Sequence, residues 1–185
     1  MDGFRLEADL ALPAGATALV LFAHDSGSSR LSPRNRRVAD VLNRGLIGTV
    51  LADLLTEDEE AEDLQTGELR FNIRLLAGRL TAITDWIADQ GTLNALGVGY
   101  FGASTGAAAA LAAAAERPRA VRAVVSRGGR PDLTGPGIRA GSRTLSFYRR
   151  GCRSGGSETE PRRDRRTPAG DGAAARNHFR RNSLV

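Results

Sequence analysis

The chain has 185 residues, 41% of them hydrophobic, one cysteine and a formal charge of +5. That length supports one domain with a real core, and no apolar run approaches a membrane span. Met1-Asp2-Gly3 lacks the basic and apolar regions of a signal peptide. The lone Cys152 cannot pair within the chain, so the cytoplasm is the expected compartment. The net charge conceals a division. Residues 1–138 hold 14 arginines against 17 carboxylates, and residues 139–185 hold 12 against 4. A mildly acidic body of 1–138 and a basic tail of 139–185 need separate readings.

In chain order, residues 4–12, FRLEADLAL, alternate loosely and predict a strand. Pro13-Ala14-Gly15 is a turn. ALVLFA, residues 18–23, is a continuous apolar run, the pattern of a strand covered on both faces. The loop His24-Asp25-Ser26-Gly27-Ser28-Ser29 follows. Ser32-Pro33 has the form of an N-cap with proline at the first helical position. That helix should run to about Asn43, with Gly45 near its C-terminal cap. LIGTVLADLL, residues 46–55, predicts the next buried strand. Thr56 and Glu59 fit a capping box, with acids over 57–63 suiting a helix start. Apolar residues from Leu69 to Ile87 recur at helical spacing over 68–89. LGVGYF (96–101) reads as a strand, TGAAAALAAAAE (105–116) as a helix and AVRAVVS (120–126) as a further strand. Strands alternating with helices predict a three-layer α/β domain whose sheet is mostly parallel.

Beyond Leu133 the apolar periodicity fails, and only TLSFY (144–148) is strand-like. Such composition predicts an irregular or disordered Arg/Gly-rich tail. It also admits a second origin. SFYRRGCRSGGSETEP permits a back-translation that, displaced by one base, reads IVGGVDPEVLRLN. That is a strand, a Gly-Gly turn, an aspartate and an amphipathic start. A disordered extension is the plain alternative.

The chemistry centres on Gly102-Ala103-Ser104-Thr105-Gly106. A Gly-x-Ser-x-Gly between a buried strand and a helix is the context of a nucleophile elbow. The serine oxygen is lifted above the carboxyl end of the sheet, and the N–H of the next residue, Thr105, can bind an oxyanion. A second oxyanion donor belongs on a loop after an earlier strand. Here that is the N–H of Asp25 or Ser26. The bland reading is a glycine-rich turn that holds a serine by chance.

LVLFAHDSGSSRLSPRNRRVADVL, YFGASTGAAAAL and VVSRGGRPDL together resemble the dienelactone-hydrolase-like branch of the α/β-hydrolases over roughly residues 4–134. The resemblance implies an eight-stranded, mostly parallel sheet with Ser, Asp and His at strand ends. It also implies a serine esterase or lactonase acting on a small carbonyl substrate, with Ser104 as nucleophile and Thr105 as oxyanion donor. Asp25 stands where such proteins usually have glycine. The last strands, which would bring the acid and the histidine, cannot be found in the pattern, so the triad is expected to be incomplete. His24 precedes the serine, against the Ser–Asp–His chain order of these hydrolases, and reads as a loop-shaping residue. His178 is the remaining candidate base, with no patterned strand to hold it, and Asp164 and Asp171 are equally unsupported.

Other signals are weaker. Gly97-Val98-Gly99-Tyr100-Phe101-Gly102 spells a dinucleotide fingerprint, but its glycines fall inside a strand instead of after it. No cofactor is expected. The run Glu57-Asp58-Glu59-Glu60 has no His or Cys beside it and reads as a solvated helix start, so no metal is expected. Arg127 and Arg130 follow the strand after the serine, where ligands bind in such sheets. Arg127 is a candidate clamp for an anionic substrate, and an ion pair with an acid is as good an account. A non-catalytic remnant or binding domain is the second functional reading. Nucleic-acid association through the arginine tail ranks below it, since the tail lacks aromatic interleaving. A sheet lacking its last strands would expose an edge beside Ser104, through which copies could associate.

Overall fold

The computed structural model describes residues 4–129 in full, together with the backbone of strands 145–148 and 175–180. In chain order the elements are β1 (Arg5–Ala11), β2 (Ala18–Ala23), α1 (Pro33–Arg44), β3 (Ile47–Ala52), α2 (Glu57–Thr66), a 3-10 turn (Leu69–Phe71), α3 (Ile73–Asp89), β4 (Gly97–Ala103), α4 (Thr105–Glu116), β5 (Val121–Arg127), β6 (Leu145–Tyr148) and β7 (Ala175–Arg180). Arg130, Cys152, Asp164 and Asp171 lie outside the described residues.

The sheet runs β6-β5-β4-β2-β3-β1-β7. The four apolar runs form its parallel centre: β2 pairs with β3 and β4, and β4 with β5. β1 lies antiparallel to β3, with Ala8 opposite Ala52. Parallel strands need crossover helices on their faces, and covered faces explain why these strands are apolar without alternation. α3 and α4 cover one face. There Leu21, Val50, Leu80, Ile83 and Tyr100 join the main core. α1 lies on the other face, where Phe22, Ala39 and Leu51 form a smaller cluster with Phe101 and Leu42 against it. The result is the three-layer α/β architecture the strand–helix alternation predicts.

Local chemistry sets the boundaries. Ser32 accepts from the Asn35 N–H, and Pro33 opens α1. Gly45 ends that helix with φ −88°, and it is Leu46 that takes the positive φ of 58°. Thr56 and Glu59 form the complete capping box of α2. The helical pattern over 68–89 is interrupted: Asn72 caps α3 through its side chain, which accepts from the Leu75 N–H at 3.0 Å. An asparagine cap satisfies an orphan N–H, so the chain turns once over 69–71 and restarts.

TLSFY meets its strand-like expectation, and one further segment of the tail departs from the sequence reading. TLSFY contributes β6, which runs parallel to β5 with Ser126 opposite Phe147. The edge expected beside Ser104 at β5 is therefore paired, and the described sheet ends instead at β6 and β7. ARNHFR, with no apolar pattern, forms β7 antiparallel to β1. Ladder pairing uses backbone groups that every residue but proline carries, and side-chain patterning does not report it.

Candidate active site

β4 delivers Ala103 to the carboxyl end of the sheet, Ser104 turns the chain, and α4 starts at Thr105. Ser104 has φ 49° and ψ −117°. A positive φ in a residue with a Cβ costs on the order of 1–3 kcal/mol and survives only where its surroundings enforce it. They do so here through the two glycines. A Cβ on Gly102 would lie 2.5 Å from the Ala107 Cα and 2.9 Å from the Gly106 oxygen. A Cβ on Gly106 would lie 2.6 Å from the Ala23 carbonyl carbon, with the oxygens of Ala23 and His24 nearer still. The first turn of α4 thus rests directly on the backbone of β4 and β2. Gly97, Gly99 and Gly102 all fall inside β4 and form no phosphate-binding turn.

The turn is anchored further. The Ser104 N–H reaches the Arg127 carbonyl at 3.3 Å, and the Ser104 carbonyl accepts from Ala107 at 3.1 Å and Ala108 at 3.3 Å. The first N–H groups of a helix have no intrahelical acceptor, and they concentrate its positive dipole end. Thr105 and Gly106 supply those groups beside Ser104.

Across β4 from β5 stands the loop after β2. The Asp25 carbonyl accepts from the Ser28 N–H at 3.0 Å, and it also lies 3.2 Å from the His24 Nδ1. Asp25, Ser26 and Thr105 line one cleft of about 460 Å³, walled on its far side by Leu54, Leu76 and the α2 residues Glu60 and Leu64. His24 lines the same cleft, and its Nε2 is buried without a hydrogen-bond partner among the described residues. The Thr105 Oγ1 is likewise buried and unpartnered.

Ion pairs brace this end of the sheet. Asp53, just past β3, accepts from the Arg30 N–H at 2.6 Å and pairs with the Arg30 guanidinium. Burial opposes the charge on Arg30, but Asp53, Asp9 and Glu7 around it prevail and raise its pKa. Arg70 closes the α2 side. It reaches Asp63 through its backbone N–H at 2.9 Å and its Nε at 2.6 Å. Burial would raise the Asp63 pKa; these bonds outweigh it and hold the carboxyl below its usual range. The sequence pattern gave no sign of Arg30 or Arg70, because partners 23 and 7 residues away are not visible in a periodicity.

The other expected residues are not brought together. His178 lies in β7 opposite Glu7. Four strand spacings separate β7 from β4, about 19 Å at the usual interval. General base catalysis needs hydrogen-bond reach or one intervening water, and this strand order sets the backbone of β7 well beyond that reach from β4. Arg127 ends β5 opposite Ala103, on the far side of β4 from the cleft, and is not in the cleft wall. Its Nε is buried and unpartnered among the described residues. No helix among the described residues is long and apolar enough to cross a membrane, and no group of three metal-ligating side chains occurs among them.

A mostly parallel sheet with helices on both faces and a strand–serine–helix turn at its carboxyl end has the architecture of the α/β-hydrolases. Solved structures agree. The dienelactone hydrolase of Anabaena variabilis is 61% identical, with a TM-score of 0.68 over 70% of this chain and 60% of that one. Est1E of Butyrivibrio proteoclasticus superposes with a TM-score of 0.55 at 16% identity, over 70% of this chain and 51% of its own. A thermostable carboxyl esterase from Bacillus coagulans gives 0.52 at 14%, over 69% and 44%. The two last likenesses concern the fold alone. Within that class the chain has a dienelactone-hydrolase-like fold. Among curated proteins, one from each of two Mycobacterium tuberculosis strains is 54% identical over 129 residues, 70% of this chain. Both carry a provisional phosphoribosyl transferase name, and the chain spans only 28% of their length. No protein-family model matches the sequence.

Proposed function

We propose that the chain is a serine hydrolase of the esterase or lactonase type with Ser104 as its nucleophile and an incomplete triad. The observation that carries this is the turn itself: Ser104 at φ 49° between β4 and α4, with Gly102 and Gly106 pressed against backbone on either side. In the proposed step the Ser104 Oγ bonds to the carbonyl carbon of the substrate and gives up its proton. The carbonyl oxygen gains the negative charge. The N–H of Thr105, and that of Asp25 or Ser26, would hold that oxyanion where α4 concentrates positive potential. The alkoxide then leaves, and water hydrolyses the acyl-enzyme. The 61% identical neighbour supports the reaction class.

With no Asp–His pair reaching Ser104 among the described residues, proton transfer is left to water, and turnover is slow. Oxyanion stabilisation and binding alone leave a residual 10³–10⁴-fold over water in triad-deleted proteases, roughly the ceiling for this site. The phosphoribosyl transferase name belongs to proteins most of whose length lies outside the match, and it carries little weight for this region. The distance of His178 favours a second reading, a binding domain that keeps the fold without the reaction.

Fluorophosphonate labelling with intact-mass detection separates the two, with p-nitrophenyl acetate hydrolysis alongside. Labelling at Ser104 that disappears in Ser104→Ala is expected. An unlabelled protein, or label that persists in Ser104→Ala, refutes the nucleophile assignment and leaves the binding reading. Hydrolysis lost in His178→Ala would instead show a complete triad.

A further inference from the structure

We propose that the cleft beside Ser104 takes esters with an apolar body and an uncharged or cationic head, and discriminates against those bearing a carboxylate or phosphate. This rests on the Ser104 reading and adds the substrate class to it. The apolar part follows from the walls. Leu54 and Leu76 are buried at 0% and 5% exposure, while Leu31 and Leu64 stand at the rim 52% and 76% exposed. Exposed leucines around a concave, apolar-floored cleft form a surface for an apolar ligand. Thr105 gives a second, independent sign of a ligand. It is 3% exposed, it lines the cleft, and its Oγ1 has no partner among the described residues. A buried hydroxyl normally has a hydrogen-bond partner, and a ligand carbonyl or hydroxyl in the cleft would supply it.

The charge preference follows from an inventory of the same walls. Among the described residues they hold four carboxylates, Asp25, Asp53, Glu60 and Asp63, against one guanidinium, Arg70. Asp53 is neutralised by Arg30, and Asp63 by Arg70. Asp25 and Glu60 have no ion-pair partner among the described residues. Two effects oppose a negative field. The N-terminus of α4 attracts anions, but a helix end is worth about half a charge and acts within one turn. That pull is local to the reacting carbonyl. Arg127 is a second source of positive charge near Ser104 among the described residues, and it stands beyond β4, outside the cleft wall. An anionic head would therefore meet two unneutralised carboxylates, whereas an ammonium head would neutralise them.

The test uses the full chain and three probes sharing one apolar body: phenylethylammonium, 2-phenylethanol and phenylacetate, titrated calorimetrically at low salt. Phenylethylammonium is expected to bind on the order of tenfold tighter than phenylacetate, with the alcohol between them. Raising salt to 1 M should narrow the gap, as screening requires. The pair Asp25→Asn and Glu60→Gln should bring cation and anion within about twofold. Phenylacetate binding as tightly as the amine overturns the proposal. So does a preference that survives both substitutions, or no binding of any probe at millimolar concentration. The salt series on the unmodified protein decides the matter if the double variant does not fold. Ser104 labelling is read separately. Its loss with the binding order intact defeats the nucleophile reading alone, and the reverse result defeats this proposal alone.

Discussion

Gly106→Ala tests whether α4 is seated on β2 as described. The added Cβ would stand 2.6 Å from the Ala23 carbonyl carbon, and below 3.0 Å something must shift. The neighbours are backbone, so no side chain can swing aside. Ordinary carbon–carbon contact is about 3.5–4.0 Å, so the first turn of α4 must retreat by about 1 Å. Overpacking of a tight core costs typically 1–3 kcal/mol, and a clash with two carbonyls belongs at about 3. For a chain of this size that is a melting temperature lowered by about 6–12 °C. Gly78→Ala is the control. Gly78 sits inside α3, and its added Cβ meets nothing within 4 Å. There alanine should stabilise by about 0.4–1 kcal/mol, through helix propensity and a restricted unfolded state. Far-UV circular dichroism melts of both variants read the difference, and fluorophosphonate labelling should slow only in Gly106→Ala. If Gly106→Ala melts within about 1 °C of the parent, the close approach of α4 to β2 is wrong.

Other outcomes are expected. Burial, opposed by the Thr84 hydroxyl at 2.6 Å, pushes the Tyr100 phenol up to about 12. The unfolded phenol ionises near its ordinary value of 10.0, so this contribution is complete below that pH and is lost as pH rises through the folded value. Stability should fall by about 2–3 kcal/mol across this window, and Tyr100→Phe should remove that loss at a cost of about 1 kcal/mol at neutral pH; denaturant titration against pH reads both. Asp63, held low by Arg70, contributes above the usual carboxylate range and loses its effect as pH falls through its folded value; Asp63→Asn should flatten the acid limb of the stability curve. Reading the gene from codon 139 onward should reveal a displaced frame encoding a strand, a Gly-Gly turn and an aspartate; coding DNA without one refutes that origin.

The sheet's centre was legible because burial on both faces writes itself as unbroken apolar runs, as in ALVLFA. The candidate site was legible where a motif coincided with a change of element, as at Gly102 to Gly106. Boundaries set by a single cap, such as Asn72, escaped a reading based on periodicity. β7 escaped because backbone pairing carries no side-chain signal. Arg30 and Arg70 escaped because chain topology, not spacing, chose their partners. His178 shows the converse: chain order made it a candidate, and the strand order 6-5-4-2-3-1-7 set it at the opposite edge.

The pressure of α4 on β2 and β4 has a consequence for descent. Gly102 and Gly106 answer to steric fit, since any side chain there would strike backbone. On the proposed function Ser104 answers to chemistry, since α4 would seat as well behind another small residue tolerant of positive φ. A lineage that abandoned the reaction would therefore keep both glycines for as long as it kept the fold, while the residue between them drifted. The glycines record ancestry, and on the proposed function the serine records use.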